Sequence, residues 1–126
     1  MFKFRLGRMV ASLSEYVGVF RVNGQFDVVE VDGSLEDYQK LLGGYLETVP
    51  TFRKPYLLLV DEEGKLKNKL PNWKATFLCP ELVGWDVLVG DVIVVQLNRR
   101  HDDFEGWKDA GQCRFVCELL LRDATH

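Results

Sequence analysis

A chain of 126 residues, 47% of them hydrophobic, is one domain's worth of sequence and can bury a core without metal or disulfide staples. Its net charge of -3 gives no overall pull toward nucleic acid or an anionic membrane, so general nucleic-acid binding is not expected. Three cysteines without paired metal-ligand spacing read as reduced thiols of a cytoplasmic protein rather than as a secreted disulfide scaffold.

The first thirteen residues, Met1 to Leu13 (MFKFRLGRMVASL), mix positive charge with apolar side chains as a targeting leader does. Arg5, Gly7 and Arg8 interrupt any apolar run, so a secretory signal is not expected. Phe2, Phe4 and Leu6 alternate with Lys3 and Arg5, which suits a half-buried edge strand or an ordered arm over residues 1–15. No segment has the length and apolarity of a membrane span. Tyr16 to Val22 and Phe26 to Val31 are β-branched and aromatic runs joined by Asn23-Gly24-Gln25, where Asn-Gly supplies the positive φ angles of a tight hairpin. Asp27, Glu30 and Asp32 make the outer side of that hairpin acidic.

Ser34 can cap a helix by accepting the amide of Asp37, and Leu35, Tyr38, Leu41 and Leu42 recur at helical spacing. Gly43 suits the left-handed position that ends a helix, and Gly44 lets the chain turn into a strand over Tyr45 to Val49. Tyr56 to Asp61 (YLLLVD) is continuously apolar up to its last residue, as a central strand covered on both faces should be. A turn at Glu62-Glu63-Gly64 leads into Lys65, Lys67, Lys69 and Lys74, the most positive stretch of the chain, interleaved with Asn68, Asn72 and Trp73.

Asn72 to Leu82 suits a short helix or irregular cover, and Val92 to Leu97 (VIVVQL) another internal strand. Arg99-Arg100-His101-Asp102-Asp103 reads as an exposed loop whose arginines offer planar forks of donors for phosphate or pair with the neighbouring aspartates. A histidine beside a carboxylate can act as a general base, but His101 and Asp102 lack a nucleophile motif or a second histidine, so catalysis is the least favoured reading. Asp103 to Ala110 can form a short helix stopped by Gly111. Beyond it, residues 112–122 fit two periods. Cys113, Phe115, Cys117, Leu119 and Leu121 alternate as in a strand, while Cys113, Val116, Cys117, Leu120 and Leu121 follow helical spacing; the strand is slightly favoured.

Leu35-x-x-Tyr38-Gln39, Gly43-Gly44-Tyr45-x-Glu47-x-Val49, Asp61-Glu62-x-Gly64-Lys65, Asn72-x-x-Ala75 and Val87-x-Val89-Gly90-Asp91-x-x-Val94-Val95 occur in that order. In this the chain resembles a family of small proteins of unknown function from bacteriophages, conjugative plasmids and bacteria. The resemblance covers about residues 17–98, leaving the arm over 1–15 and an extension over 99–126 outside it. It implies an α+β fold and a mobile-element origin.

The expected fold is a single α+β domain over 1–126: a mostly antiparallel sheet of about five to six strands with the amphipathic helix on one face. The opposite face then needs cover from a terminal extension or a second subunit, which points to a homo-oligomer. The expected function is a non-enzymatic, cofactor-free accessory protein of a phage or mobile element that counteracts a host process by binding. In one version Tyr45, Lys65, Asn72, Trp73, Arg99 and Arg100 converge on a nucleotide-like signal through stacking and positive charge. In the other, the acidic hairpin or Trp107 occludes a host protein without any small ligand.

Overall fold

In the computed structural model, which describes residues 14–124, the apolar runs form the strands of one sheet. In chain order the elements are β1 (Glu15–Phe20), β2 (Phe26–Val31), α1 (Leu35–Leu42), β3 (Leu46–Pro50), β4 (Tyr56–Asp61), α2 (Trp73–Phe77), β5 (Val92–Leu97), β6 (Phe104–Glu105) and α3 (Ala110–Ala124). The proposed strand or arm at Phe2, Phe4 and Leu6 lies outside the described residues.

The sheet has six strands in the order β2-β1-β5-β4-β3, with β6 paired to β5 off this path, and every pairing is antiparallel. β4 and β5 are interior strands, which explains why both read as unbroken apolar runs. Leu57, Leu59, Ile93 and Val95 point to one face with Val17 and Val19, where Tyr38 and Leu42 of α1 cover them. Leu58, Val60, Val92 and Val94 point to the other, against Ala75 and Leu78 of the α2 region and Cys113, Val116, Cys117 and Leu120 of α3. The domain is α+β, with helices on both sides of the sheet.

The hairpin and the first helix follow their sequence signals. Gly24 has φ +90° in the β1–β2 turn, and Ser34 accepts the Asp37 amide at 3.2 Å. Gly43 closes α1 in the left-handed region, with its N–H donated to the Gln39 carbonyl at 2.8 Å.

The tail differs from expectation in three respects. Residues 110–124 are helix rather than strand: Cys113, Val116, Cys117 and Leu120 are buried along one side, whereas a strand would have buried Phe115, which is 65% exposed. Its start is fixed by Asp109, whose carboxylate accepts the Gln112 amide at 3.1 Å and whose carbonyl accepts the Cys113 amide. Gly111 therefore lies inside α3, and the segment before it holds β6 instead of a short helix, with Phe104 edge-on to Tyr38 at 5.3 Å. Trp107, offered above as a contact surface, is 3% exposed; it exchanges two backbone hydrogen bonds with Tyr16 and lies against the Tyr56 ring. α3 thus supplies from within the chain the cover that the second sheet face requires.

Candidate functional site

The lysine-rich segment after β4 is built around Asp61, whose side chain is buried at the strand's end. Its carboxylate accepts Lys69 Nζ at 2.7 Å, Lys67 Nζ at 2.9 Å and the Glu63 amide at 2.9 Å. Burial pushes the Asp61 carboxyl upward, but the hydrogen bonds from Lys69, Lys67 and Glu63 outweigh it and hold the group at about 2. The same two ammonium groups also reach α1: Lys67 donates to the Gly43 carbonyl at 3.0 Å and Lys69 to the Leu42 carbonyl at 2.7 Å. Cations there satisfy orphan carbonyls and oppose the negative end of the helix. A Cβ on Gly44 would sit 2.5 Å from Lys67 Nζ and 2.9 Å from Asp61 Oδ1, so the second glycine of the pair makes room for the ion cluster. Read from the sequence as a positive surface, Lys67 and Lys69 also tie α1, β4 and the loop together, with Lys67 still exposed and Lys69 half-buried.

Asn72 is likewise internal. It is fully buried, its Nδ2 donates to the carbonyls of Phe20 and Gly90 at 2.9 Å each, and its Oδ1 accepts the Ala75 amide at 3.1 Å. Every hydrogen-bonding direction that side chain needs is used in capping α2 and tying it to the ends of β1 and β5. Thr76 continues the tie, donating to the Asn72 carbonyl at 2.8 Å and accepting the Leu88 amide at 2.9 Å.

The six proposed ligand residues do not converge. Tyr45 and Lys65 are exposed near the Asp61 end of the sheet. Arg99 and Arg100 follow β5 beyond its pairing with Tyr56, at the opposite end, so a six-residue strand, roughly 20 Å, separates them from Lys65. Trp73 is exposed on α2, on the side of the sheet that α3 covers. At the start of the Arg99–Asp103 loop, Asn98 Nδ2 donates to Asp102 Oδ1 at 2.9 Å and Asn98 Oδ1 accepts the Asp102 amide at 3.2 Å, and His101 is exposed with φ +58°.

Two concavities lined by described residues bear on these side chains. One, of about 240 Å³, lies beside Lys65 and is lined by Glu47, Asp61, Glu62 and Asp86 as well as Val87 and Val89. Lys65 is already paired with Asp86, so this cleft opposes an anion. The other, of about 480 Å³, is a groove between α2 and α3 lined by Trp73, Lys74, Phe77, Leu121 and Ala124. Trp73 and Phe77, four residues apart, are 58% and 52% exposed, while Ala75 and Thr76 between them are buried. Along the same stretch Leu66, Leu70, Val83 and Trp85 are exposed, Trp85 to 90%. Of these, only Trp73 is among the ligand residues proposed from the sequence. The spacing of Trp73 and Phe77 signals one helix face, but which face turns outward depends on the burial of Asn72 and on the position of α3.

Among the described residues no cluster of three or more His, Cys, Asp and Glu could hold a metal ion, and no helix is long and apolar enough to cross a membrane. Residues 17–116 match the family described as a domain of unknown function (DUF3846). The chain belongs to this family. The match runs past Asn98, through β6 and into α3. The Asp61 cluster, Asn72, Trp73 and Phe77 lie within it, whereas Leu121 and Ala124 lie beyond it. No curated protein and no solved structure matches the chain.

Proposed function

We propose that this DUF3846 protein is a non-enzymatic accessory protein of a phage or other mobile element that counteracts a host process by occluding a host protein. One observation carries the reading: Leu66, Leu70, Trp73, Phe77, Val83 and Trp85, all large and apolar, are exposed within a single stretch between β4 and β5. Exposed apolar surface of that density suits a partner interface, and tryptophan is the residue type most enriched among interface anchors. The mobile-element origin rests on the motif resemblance described above. A cytoplasmic setting accords with Cys79, Cys113 and Cys117, which are buried free thiols; burial pushes Cys79 up to about 12 and so keeps it protonated and unreactive.

A protein partner is favoured over a sequestered nucleotide because the Lys65 cleft is ringed by carboxylates and the arginines lie at the far end of the sheet. The nucleotide version fails if no nucleotide or cyclic dinucleotide raises the melting temperature of the purified protein. When no partner is present, the same apolar stretch is the surface on which copies of the chain associate. Light scattering that gives a monomer at micromolar concentration removes that homo-oligomer.

The direct test places a photo-crosslinking amino acid at residue 73, 77 or 85 and, as controls, at Glu30 and Arg100, then irradiates in host lysate. One discrete partner cross-linked from the first three positions and not from the controls is the expected result. Equal labelling from all five positions, or no discrete product, overturns the proposal.

A further inference from the structure

Four lysines lie between Lys65 and Lys74, and three of them have partners: Lys65 with Asp86, and Lys67 and Lys69 with Asp61. Lys74 differs. It is exposed on α2, and among the described residues it makes no hydrogen bond or ion pair. Among the described residues it is also the single charged side chain lining the groove between α2 and α3, beside Trp73, Phe77, Leu121 and Ala124. The groove is therefore an apolar trough with one unneutralised cation on its wall. Its volume of about 480 Å³ falls in the range of sites that enclose a ligand, yet it is partly open to the surface between α2 and α3, as a peptide groove is.

An anion carrying several charges, such as a nucleoside triphosphate, would find one lysine and otherwise hydrocarbon and aromatic rings, leaving most of its charge unpaired. An amphipathic helix suits the trough better. Its apolar stripe fills the space between the rings and Leu121, while a carboxylate at the edge of that stripe reaches the ammonium. We propose that the groove receives an acidic amphipathic helix of the partner protein, with large apolar side chains between Trp73, Phe77 and Leu121 and an aspartate or glutamate paired to Lys74. This rests on the protein-partner reading above and adds the shape and charge of the segment that docks.

The test uses fluorescence polarisation at low salt with three labelled peptides of one length. One is a designed helix with leucines at helical spacing and glutamates flanking the stripe, the second replaces those glutamates by lysines, and the third scrambles the leucines. The acidic peptide is expected to bind saturably and on the order of tenfold more tightly than its lysine twin, with the scrambled peptide weakest. Lys74→Glu, on an exposed side chain, should reverse the order of the first two. Leu121→Asp should remove binding of both while far-ultraviolet circular dichroism stays unchanged. Should that variant unfold, Phe77→Ser, altering a half-exposed ring, serves in its place. Absence of saturable binding by the acidic peptide, a charge preference unmoved by Lys74→Glu, or equal binding of the scrambled peptide each overturns the inference. If the peptides fail while residues 73, 77 and 85 still cross-link one partner, the helix-in-groove inference falls alone; if cross-linking fails as well, the protein-partner reading falls with it.

Discussion

A buried carboxylate costs several kcal/mol unless it is paired, and Asp61 accepts hydrogen bonds from two ammonium groups and one backbone amide. Since Lys67 and Lys69 also hold the last carbonyls of α1, the ion cluster joins three segments at one point. Depression of Asp61 from 3.8 to about 2 corresponds to about 2 kcal/mol of folding stability. The folded-state value lies below the unfolded one, so this contribution is complete above about pH 4 and is lost as the pH falls toward 2. In urea melts, the stability difference between the wild type and Asp61→Asn should therefore shrink by about 2 kcal/mol between neutral pH and about pH 2. A difference that stays constant over that interval would mean that the carboxylate is not held ionised by the lysines.

At the scale of elements, β1 and α3 approach closely across the second face at Gly18. A Cβ added at Gly18 would collide with Cys117 Sγ, while Cys117 Cβ would lie at an ordinary 3.8 Å. The absent side chain at Gly18 is what lets α3 settle on the sheet. Gly18→Ala should cost about 1–3 kcal/mol through overpacking. Cys117→Ala, which removes the colliding sulfur, should recover much of that loss in the double variant, giving a coupling of about 1 kcal/mol or more by chemical denaturation. Additive losses would place the strain elsewhere. This junction also shows what the sequence could and could not reveal. The hairpin and α1 were legible because Asn23-Gly24, Ser34 and Gly43 each impose a local backbone geometry. The tail was not, because its apolar residues satisfy both periods, and what decides between them is the sheet face that must be covered. A local signal was present in Asp109-x-x-Gln112, which has the spacing of a capping box. At the candidate site, Asn72 and Trp73 are adjacent polar and aromatic residues in the sequence. Only the tie from Asn72 to Phe20 and Gly90 turns the first inward and leaves the second exposed.

For the molecule as a whole, the two apolar layers depend on different parts of the chain. α1, which follows the first hairpin directly, covers one face of the sheet, whereas the other is closed by α2 and by α3, the last element in the sequence. Until α3 docks, the sides of β1, β4 and β5 that carry Gly18, Leu58, Val92 and Val94 are left, among the described residues, to the α2 region, Leu88 and Trp107. A chain ending at Asp109 should consequently lose its cooperative thermal transition and bind an apolar dye such as anilinonaphthalene sulfonate. Loop substitutions at the opposite extreme, Arg99→Ala with Arg100→Ala, lie on exposed side chains outside either layer and should change stability by no more than about 0.5 kcal/mol. The truncated chain must also lose the groove between α2 and α3, because Leu121 and Ala124 form its α3 wall. A truncated protein that still melts cooperatively would show that the sheet and α1 form a folding unit without α3, and that the C-terminal helix serves the groove alone.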